Sequence, residues 1–414
     1  MNLLAEIAAT HLRGRLRQTI VVIAGVATGV GFSIAMAALM EGSERDFIER
    51  LVDATPHIVV KDEYRHPPPQ PAERQFSGGA VSIQGLRPKE ELRGIRNARA
   101  RLAEIDRMRG LNAAPVLRGE VVMRYGGKDV GAALVGIEPA RHRLVSQIED
   151  DLVAGALDDL HRTANGVILG AGLAEKLGIG LGDSLGVSSP SGVPMRMKVA
   201  GLFRSGVVAV DDGQAYALLK KAQVLQDRPN VVNQIQIRPK DVRTARAVAA
   251  RIEARLGYRT ESWEEANEGL LEVLVIRNTI MYTVVGAILM VAAFGIFNVI
   301  STITHEKVRD IAILKSLGFP EADIRRIFVS QSLILGVAGS AAGCALGFAL
   351  STLLGSIQIE LKNVTALTRL PVYHSWLHYA IAIGIALAAA GFAGYLPARK
   401  AARLDPVDII RGAA

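Results

Sequence analysis

Half of the 414 residues are apolar, only 5% are aromatic, and the single cysteine, Cys344, leaves no intrachain disulfide to form. The net charge of +8 comes without a Cys-rich or aromatic-plus-basic motif, so nucleic-acid binding has no support beyond the charge itself. The apolar residues gather in four uncharged runs, 19–40, 279–303, 328–357 and 379–398. Each exceeds the roughly 18 residues that a bilayer crossing requires, which excludes an ordinary soluble fold. The expected fold class is an α-helical membrane protein with four transmembrane helices plus a large α+β domain.

Segment 1–18 places Leu3, Leu4, Ile7, Ala8, His11 and Leu12 at i, i+3/4 and i+7/8. That is the pattern of an amphipathic helix lying in the membrane interface. Arg13, Arg15 and Arg17 precede the first run, and Ala35-Met36-Ala37 has the small-x-small form of a cleavage site. The run is too long for the apolar centre of a signal peptide, so an uncleaved first span is expected over 19–40.

Segment 41–278 reads as mixed α and β, and is long enough to build its own core. A short strand over 57–61 leads to an extended linker over 65–74 carrying Pro67, Pro68, Pro69 and Pro71. A helix is expected from Pro88 to about Arg109, with Leu92, Ile95, Leu102 and Ile105 on one face and a solvated arginine-rich face opposite. Strands over 116–125 and 129–137 form a hairpin about Gly126-Gly127. A strand over 166–169 and a helix over 173–177, ended by Gly178, precede a second strand pair, 184–187 with 195–203. A strand over 231–237, a helix over 241–256 and a strand over 258–261 return the chain to the membrane. The element order suggests a core module carrying a β-rich insert.

The spans hold no Asp, Glu, Lys, Arg or His, which excludes a proton relay. Small residues four apart let helix backbones approach: Gly25 and Gly29 in the first span, Gly339, Gly343 and Gly347 in the third. Gly391 and Gly394 add a cluster in the fourth. Asn298 and Ser301 are expected to bond between helices. Nothing fits G-x-x-x-x-G-K-[ST], and no catalytic constellation or metal-ligand set is recognisable, so the chain is not expected to be an enzyme. Any energy it uses must arrive through a partner.

Lys307, Arg309, Lys315, Arg325 and Arg326 crowd segment 304–327, and Arg399, Lys400, Arg403 and Arg411 crowd the tail 399–414. The other short loop, 358–378, has only Lys362 and Arg369. The positive-inside rule then puts both termini and 304–327 in the cytoplasm, and 41–278 outside. Within 304–327 an apolar ladder, Ile311, Ile313, Leu314 and Leu317, runs through charged neighbours. This is a handle for a soluble partner.

Two stretches carry a family resemblance. Glu306–Gly318, EKVRDIAILKSLG, and Gly394–Arg411, GYLPARKAARLDPVDIIR, resemble the segments after the second span and at the end of the fourth in the FtsX/MacB-like ABC transporter permeases. Gly166–Phe203 resembles that family's periplasmic core domain, and the layout of spans matches throughout. The resemblance implies a bacterial inner-membrane permease with 41–278 in the periplasm. It pairs with a second permease copy, as a homo- or heterodimer, and with a cytoplasmic ABC ATPase. ATP and Mg would sit in that ATPase, and this chain would bind no cofactor. The resemblance also implies mechanotransmission, with Glu306, Arg309, Asp310, Ile313, Leu314, Lys315 and Gly318 docking the ATPase. His11–Arg15, Pro56–Val60 and Gln331 are similar to the lipoprotein-releasing (Lol-type) permeases. The short loop 188–194 departs from them, because permeases that hand cargo to a periplasmic chaperone carry a longer hook there. The readings left open are release of a lipidated or amphiphilic cargo, tripartite efflux with an adaptor, and FtsX-like signalling without transport.

Overall fold

A chain in lipid can satisfy its backbone polar groups only within a helix or a closed barrel, and here every uncharged run is helical. The computed structural model describes residues 16–65, 75, 94–357 and 369–403. The expected interfacial helix up to residue 15, most of the proline-rich linker, the helix start at Pro88 and the end of the tail lie outside the described residues. Helix α1, Leu16–Ala54, holds the first run and continues well beyond it. Strand β1, Ile58–Lys61, follows, and then helix α2, Ala98–Asp106, which turns Leu102 and Ile105 inward. Strands β2, Leu111–Tyr125, and β3, Lys128–Ile137, form the expected hairpin. Gly126 and Gly127, both at positive φ, make its two-residue turn, with Tyr125 opposite Lys128.

Strands β4, Leu152–Gly155, and β5, Gly166–Gly170, lead into helix α3, Ala171–Leu177. Strands β6, Ser184–Ser188, β7, Pro194–Phe203, and β8, Gln214–Leu218, precede helix α4, Leu219–Leu225. Strand β9, Gln234–Pro239, helix α5, Ala245–Leu256, and strand β10, Thr260–Ser262, complete this part. The remaining helices are α6, Glu268–Glu306, α7, Val308–Ser316, α8, Glu321–Ser356, and α9, Trp376–Ala402.

The chain divides into two units. The described residues of the sheet unit are 47–65, 75 and 94–271; those of the helical unit are 16–46, 272–357 and 369–403. In the sheet unit ten strands run in the order β10-β1-β9-β2-β3-β8-β5-β7-β4, with β6 against β2 and β7. The long strand β2 is the hub. Its residues 111–116 pair with β9, 116–125 with β3 and 122–124 with β6. The β-rich stretch therefore shares a strand with the rest, and one apolar core runs from Ile58 and Ile237 through Leu117 to Leu185 and Met197. A second cluster around Ile137, Leu160 and Phe203 fills another part of the unit. Strand β1 pairs antiparallel with β10, Ile58 opposite Ser262, so the stretches leaving toward α1 and α6 lie side by side. The end of α1 is anchored here, with Ile48 and Val52 against the core.

In the helical unit α1, α6, α8 and α9 are each long and apolar enough to cross a membrane. α1 seats Val26, Val30 and Ile34 on Gly339, Gly343 and Gly347 of α8. A Cβ on those glycines would lie 2.6, 2.7 and 2.9 Å from the three β-branched side chains. α9 lies against α8, where a Cβ on Gly394 would collide with Ser332 and one on Gly336 would meet Ala390 at 2.9 Å. Gly29 meets Leu289 of α6 at an ordinary 3.5 Å, whereas Gly25 and Gly391 have nothing within 4 Å. Asn298 is exposed. Neither it nor the half-buried Ser301 makes the expected interhelical side-chain bond among the described residues.

Candidate functional site

The segment joining α6 to α8 is built around α7. α6 ends at Glu306, Lys307 N–H still donates to the Ile303 carbonyl at 3.0 Å, and α7 starts with Lys307 as its N-cap and Ile311 N–H donating to the Lys307 carbonyl at 2.9 Å. Lys307 Nζ reaches Asp310 at 2.7 Å and neutralises the first turn. Ile311 is 2% exposed and Ala312 is buried, and Ile311 joins the cluster formed by Ile300, Ile303, Ile324, Phe328, Ala398 and Ala402. This inward pair fixes which side of α7 faces away.

The outward side is apolar where a lone surface helix would be polar. Ile313 is 56% and Leu317 72% exposed. With Arg309 they stand at i, i+4 and i+8, one stripe along the helix. Arg309 is exposed and has no ion-pair partner among the described residues. Covering each apolar side chain would gain roughly 1.5–3 kcal/mol, so the stripe is suited to burial against a partner.

The end of α7 is a Schellman motif. Phe319 N–H donates to the Leu314 carbonyl at 3.1 Å and Gly318 N–H to the Lys315 carbonyl at 3.0 Å, with Gly318 at φ +94°. A side chain is strained in that region, and Pro320, next but one, opens α8.

The seven residues expected to dock a partner do not share one surface. Glu306, Arg309, Asp310 and Ile313 are exposed and Leu314 is half-buried. Gly318 shapes the turn. Lys315 is only 15% exposed and is turned inward, where its Nζ donates to the Ala402 carbonyl at the end of α9 at 2.9 Å and lies 3.8 Å from Glu321.

A polar cluster at the opposite end of the helical unit escapes a residue-by-residue reading of the sequence. Glu41 of α1 lies 2.6 Å from His378 Nε2 of α9 and 2.5 Å from Arg45, whose guanidinium stacks 3.7 Å above the Tyr373 ring. Tyr373 N–H donates to the Ala38 carbonyl at 2.9 Å, and Gly42 leaves room for the Pro371 carbonyl. Glu44 accepts from Asn278 of α6 at 2.7 Å. The available signal is that Glu41 and His378 each immediately flank an uncharged run. Among the described residues no group of His, Cys, Asp or Glu is placed to hold a metal.

Comparison with known families places these features in context. Residues 19–255 match the model of the MacB-like periplasmic core domain and 282–406 that of the FtsX-like permease C-terminal region. The lipoprotein-releasing system transmembrane protein LolC of Neisseria meningitidis serogroup B is 26% identical, covering 99% of both chains. The macrolide export ATP-binding/permease protein MacB of Hyphomonas neptunium is 26% identical over 97% of this chain and 59% of its own. The periplasmic region of MacB from Actinobacillus actinomycetemcomitans aligns with 51% of this chain and 91% of its own at 13% identity, with a TM-score of 0.31.

Proposed function

This chain belongs to the FtsX-like ABC transporter permeases with a MacB-like core domain, and from that premise we propose that it carries the work of a separate cytoplasmic ATPase to cargo on the far side of the membrane. The observation that carries the reading is the exposed stripe Arg309–Ile313–Leu317 on a helix whose opposite face is locked into the spans. Such a stripe receives a soluble subunit and passes its displacement into α6, α8 and α9. The basic residues of 304–327 and of the tail put this end inside, by the positive-inside rule. The sheet unit is then periplasmic. ATP and Mg belong to the partner, and a second permease copy completes a symmetric pair around two ATPase subunits.

The cargo class we favour is lipidated or amphiphilic, extracted from the outer leaflet. The support is similarity at full length to a lipoprotein-releasing relative. Recruitment of a chaperone by a long hook is not part of this proposal. The β6–β7 loop between Ser188 and Pro194 is a tight turn, with Gly192 N–H on the Ser189 carbonyl at 2.9 Å and Ser189 Oγ tied to the Leu225 carbonyl at 2.7 Å. Efflux with an adaptor is the second reading, favoured by the MacB relative that covers nearly all of this chain.

The test is purification of the full chain in detergent with its candidate ATPase, comparing wild type with Ile313→Asp. Wild type should retain the ATPase and the variant should lose it, while both elute alike in size exclusion. Equal recovery would remove the docking surface from the account.

A further inference from the structure

The helical unit ties one helix at both ends. At the inner end the Lys315 ammonium of α7 holds the last carbonyl of α9, that of Ala402, at 2.9 Å. Lys315 thus acts as a cap for the negative end of that helix dipole. Ala398 and Ala402 of α9 pack in the same cluster as Ile311 of α7. At the outer end His378, in the first turn of α9, meets Glu41 of α1 at 2.6 Å. Arg45 and Tyr373 brace that contact, and Tyr373 is itself bonded to the α1 backbone.

α6, the helix joined directly to α7, is bonded to α1 near its outer end, where Asn278 donates to Glu44 at 2.7 Å, but is packed more loosely along its length. Its buried residues are Leu289, Ile296, Ile300, Ile303 and Thr304, all in its later half. Where it passes α1 at Gly29 the approach is an ordinary 3.5 Å, against the 2.9 Å and shorter Cβ distances that lock α8 to both α1 and α9. A displacement of α7 therefore meets stiff contacts toward α9 and compliant ones along α6.

We propose that α9 is a connecting rod from the inner-face helix to the first span, with Lys315 and the Glu41–His378 pair as its two positioning joints. The proposal rests on the ATPase-coupled reading above. It assigns Lys315 to transmission and removes it from the docking face. It also makes the outer part of α1, rather than α6 alone, the output toward the periplasmic unit.

The test uses the full chain with its ATPase in nanodiscs, with Cys344→Ala and Phe47→Cys introduced so that maleimide reports on the outer part of α1. In the otherwise wild-type chain, ATP should change the labelling rate. That change should be lost in Lys315→Met and in Glu41→Gln, with ATPase recovery unaltered, and should return in Lys315→Arg, which still donates to the carbonyl. The double variant should lose no more than either single one, because joints in series fail together. An ATP response that survives in Lys315→Met or Glu41→Gln overturns the connecting role. Loss of the ATPase itself in Lys315→Met returns that residue to the docking face and likewise overturns it. Failure of the wild-type chain to bind any ATPase overturns the underlying reading, and this one with it.

Discussion

Val30 of α1 sits over Gly343 of α8 so closely that a Cβ on the glycine would lie 2.7 Å from the valine Cβ. The same step recurs one turn earlier and one turn later, at Val26 with Gly339 and Ile34 with Gly347. Three consecutive small-xxx-small positions on one helix thus receive three β-branched residues at the same spacing on the other. In lipid, where burial from water drives nothing, such contact is the main source of helix affinity.

Gly343→Leu should therefore destabilise the helical unit by about 1–3 kcal/mol, the usual cost of overpacking. Gly25→Leu, at a position with nothing within 4 Å, should cost nothing measurable. Thermal unfolding of the purified chain in detergent distinguishes the two. Equal midpoints would mean that the α1–α8 contact is not tight.

Gly318→Val should carry about 1–3 kcal/mol of backbone strain at φ +94° and break the Schellman turn that sets the direction of α7. Recovery of the ATPase should fall severalfold while recovery of the chain itself in the membrane fraction is unchanged. Gly318→Asn, which tolerates positive φ better, should lie between the two.

The sheet unit titrates in two opposed ways. His142 is buried beside Tyr216 with neither ring nitrogen hydrogen-bonded, and burial pushes its pKa down to about 4. The unfolded chain binds that proton more readily, so this contribution is whole above about pH 6.5 and is lost as pH falls toward 4, a change of about 3 kcal/mol. Asp151 goes the other way. Burial first, then the charges of Asp211, Asp150 and Asp53, raise its pKa to about 6. Its contribution is present below the unfolded value and is lost as pH rises through 6, to a smaller extent because the half-buried carboxyl is screened. Asp151→Asn should thus stabilise the unit at pH 7 and steepen its loss of stability in acid, and His142→Leu should flatten that acid loss. Denaturation midpoints followed from pH 4 to 7 decide both; unchanged profiles in both variants would contradict the assignment.

Legibility in the sequence follows the range of the interactions. The four spans, the Gly126-Gly127 hairpin and helix α5 are encoded locally, by apolar density, turn glycines and a 3.6-residue period; each uncharged run lies in a helix, although α1 and α6 extend well beyond theirs. Strands β4 and β8 leave no such local signal, because LVAG and QAYAL are too short to alternate visibly. The continuation of α1 to Ala54 is masked by Glu41, Glu44 and Arg45, although Ile48, Leu51 and Val52 keep a helical period. The sheet order is non-local: β1 pairs with β9 and β10 from the other end of the segment. At the site, the charged helix and its glycine stop are plain in EKVRDIAILKSLG. Its apolar ladder divides between two faces, however, with Ile311 inward and Ile313 and Leu317 outward. That division, like the turn of Lys315 toward Ala402, depends on where α9 ends and is invisible to spacing alone.

The central claim is that α7 receives an ATPase through its exposed apolar stripe. A photo-crosslinking residue placed at Leu317 of the full chain in cells tests it most directly, against one at Phe392, which is equally exposed but sits within α9. The account predicts a crosslinked product containing a nucleotide-binding subunit from Leu317 and none from Phe392. An ATPase adduct from Phe392, or none from Leu317, would contradict it.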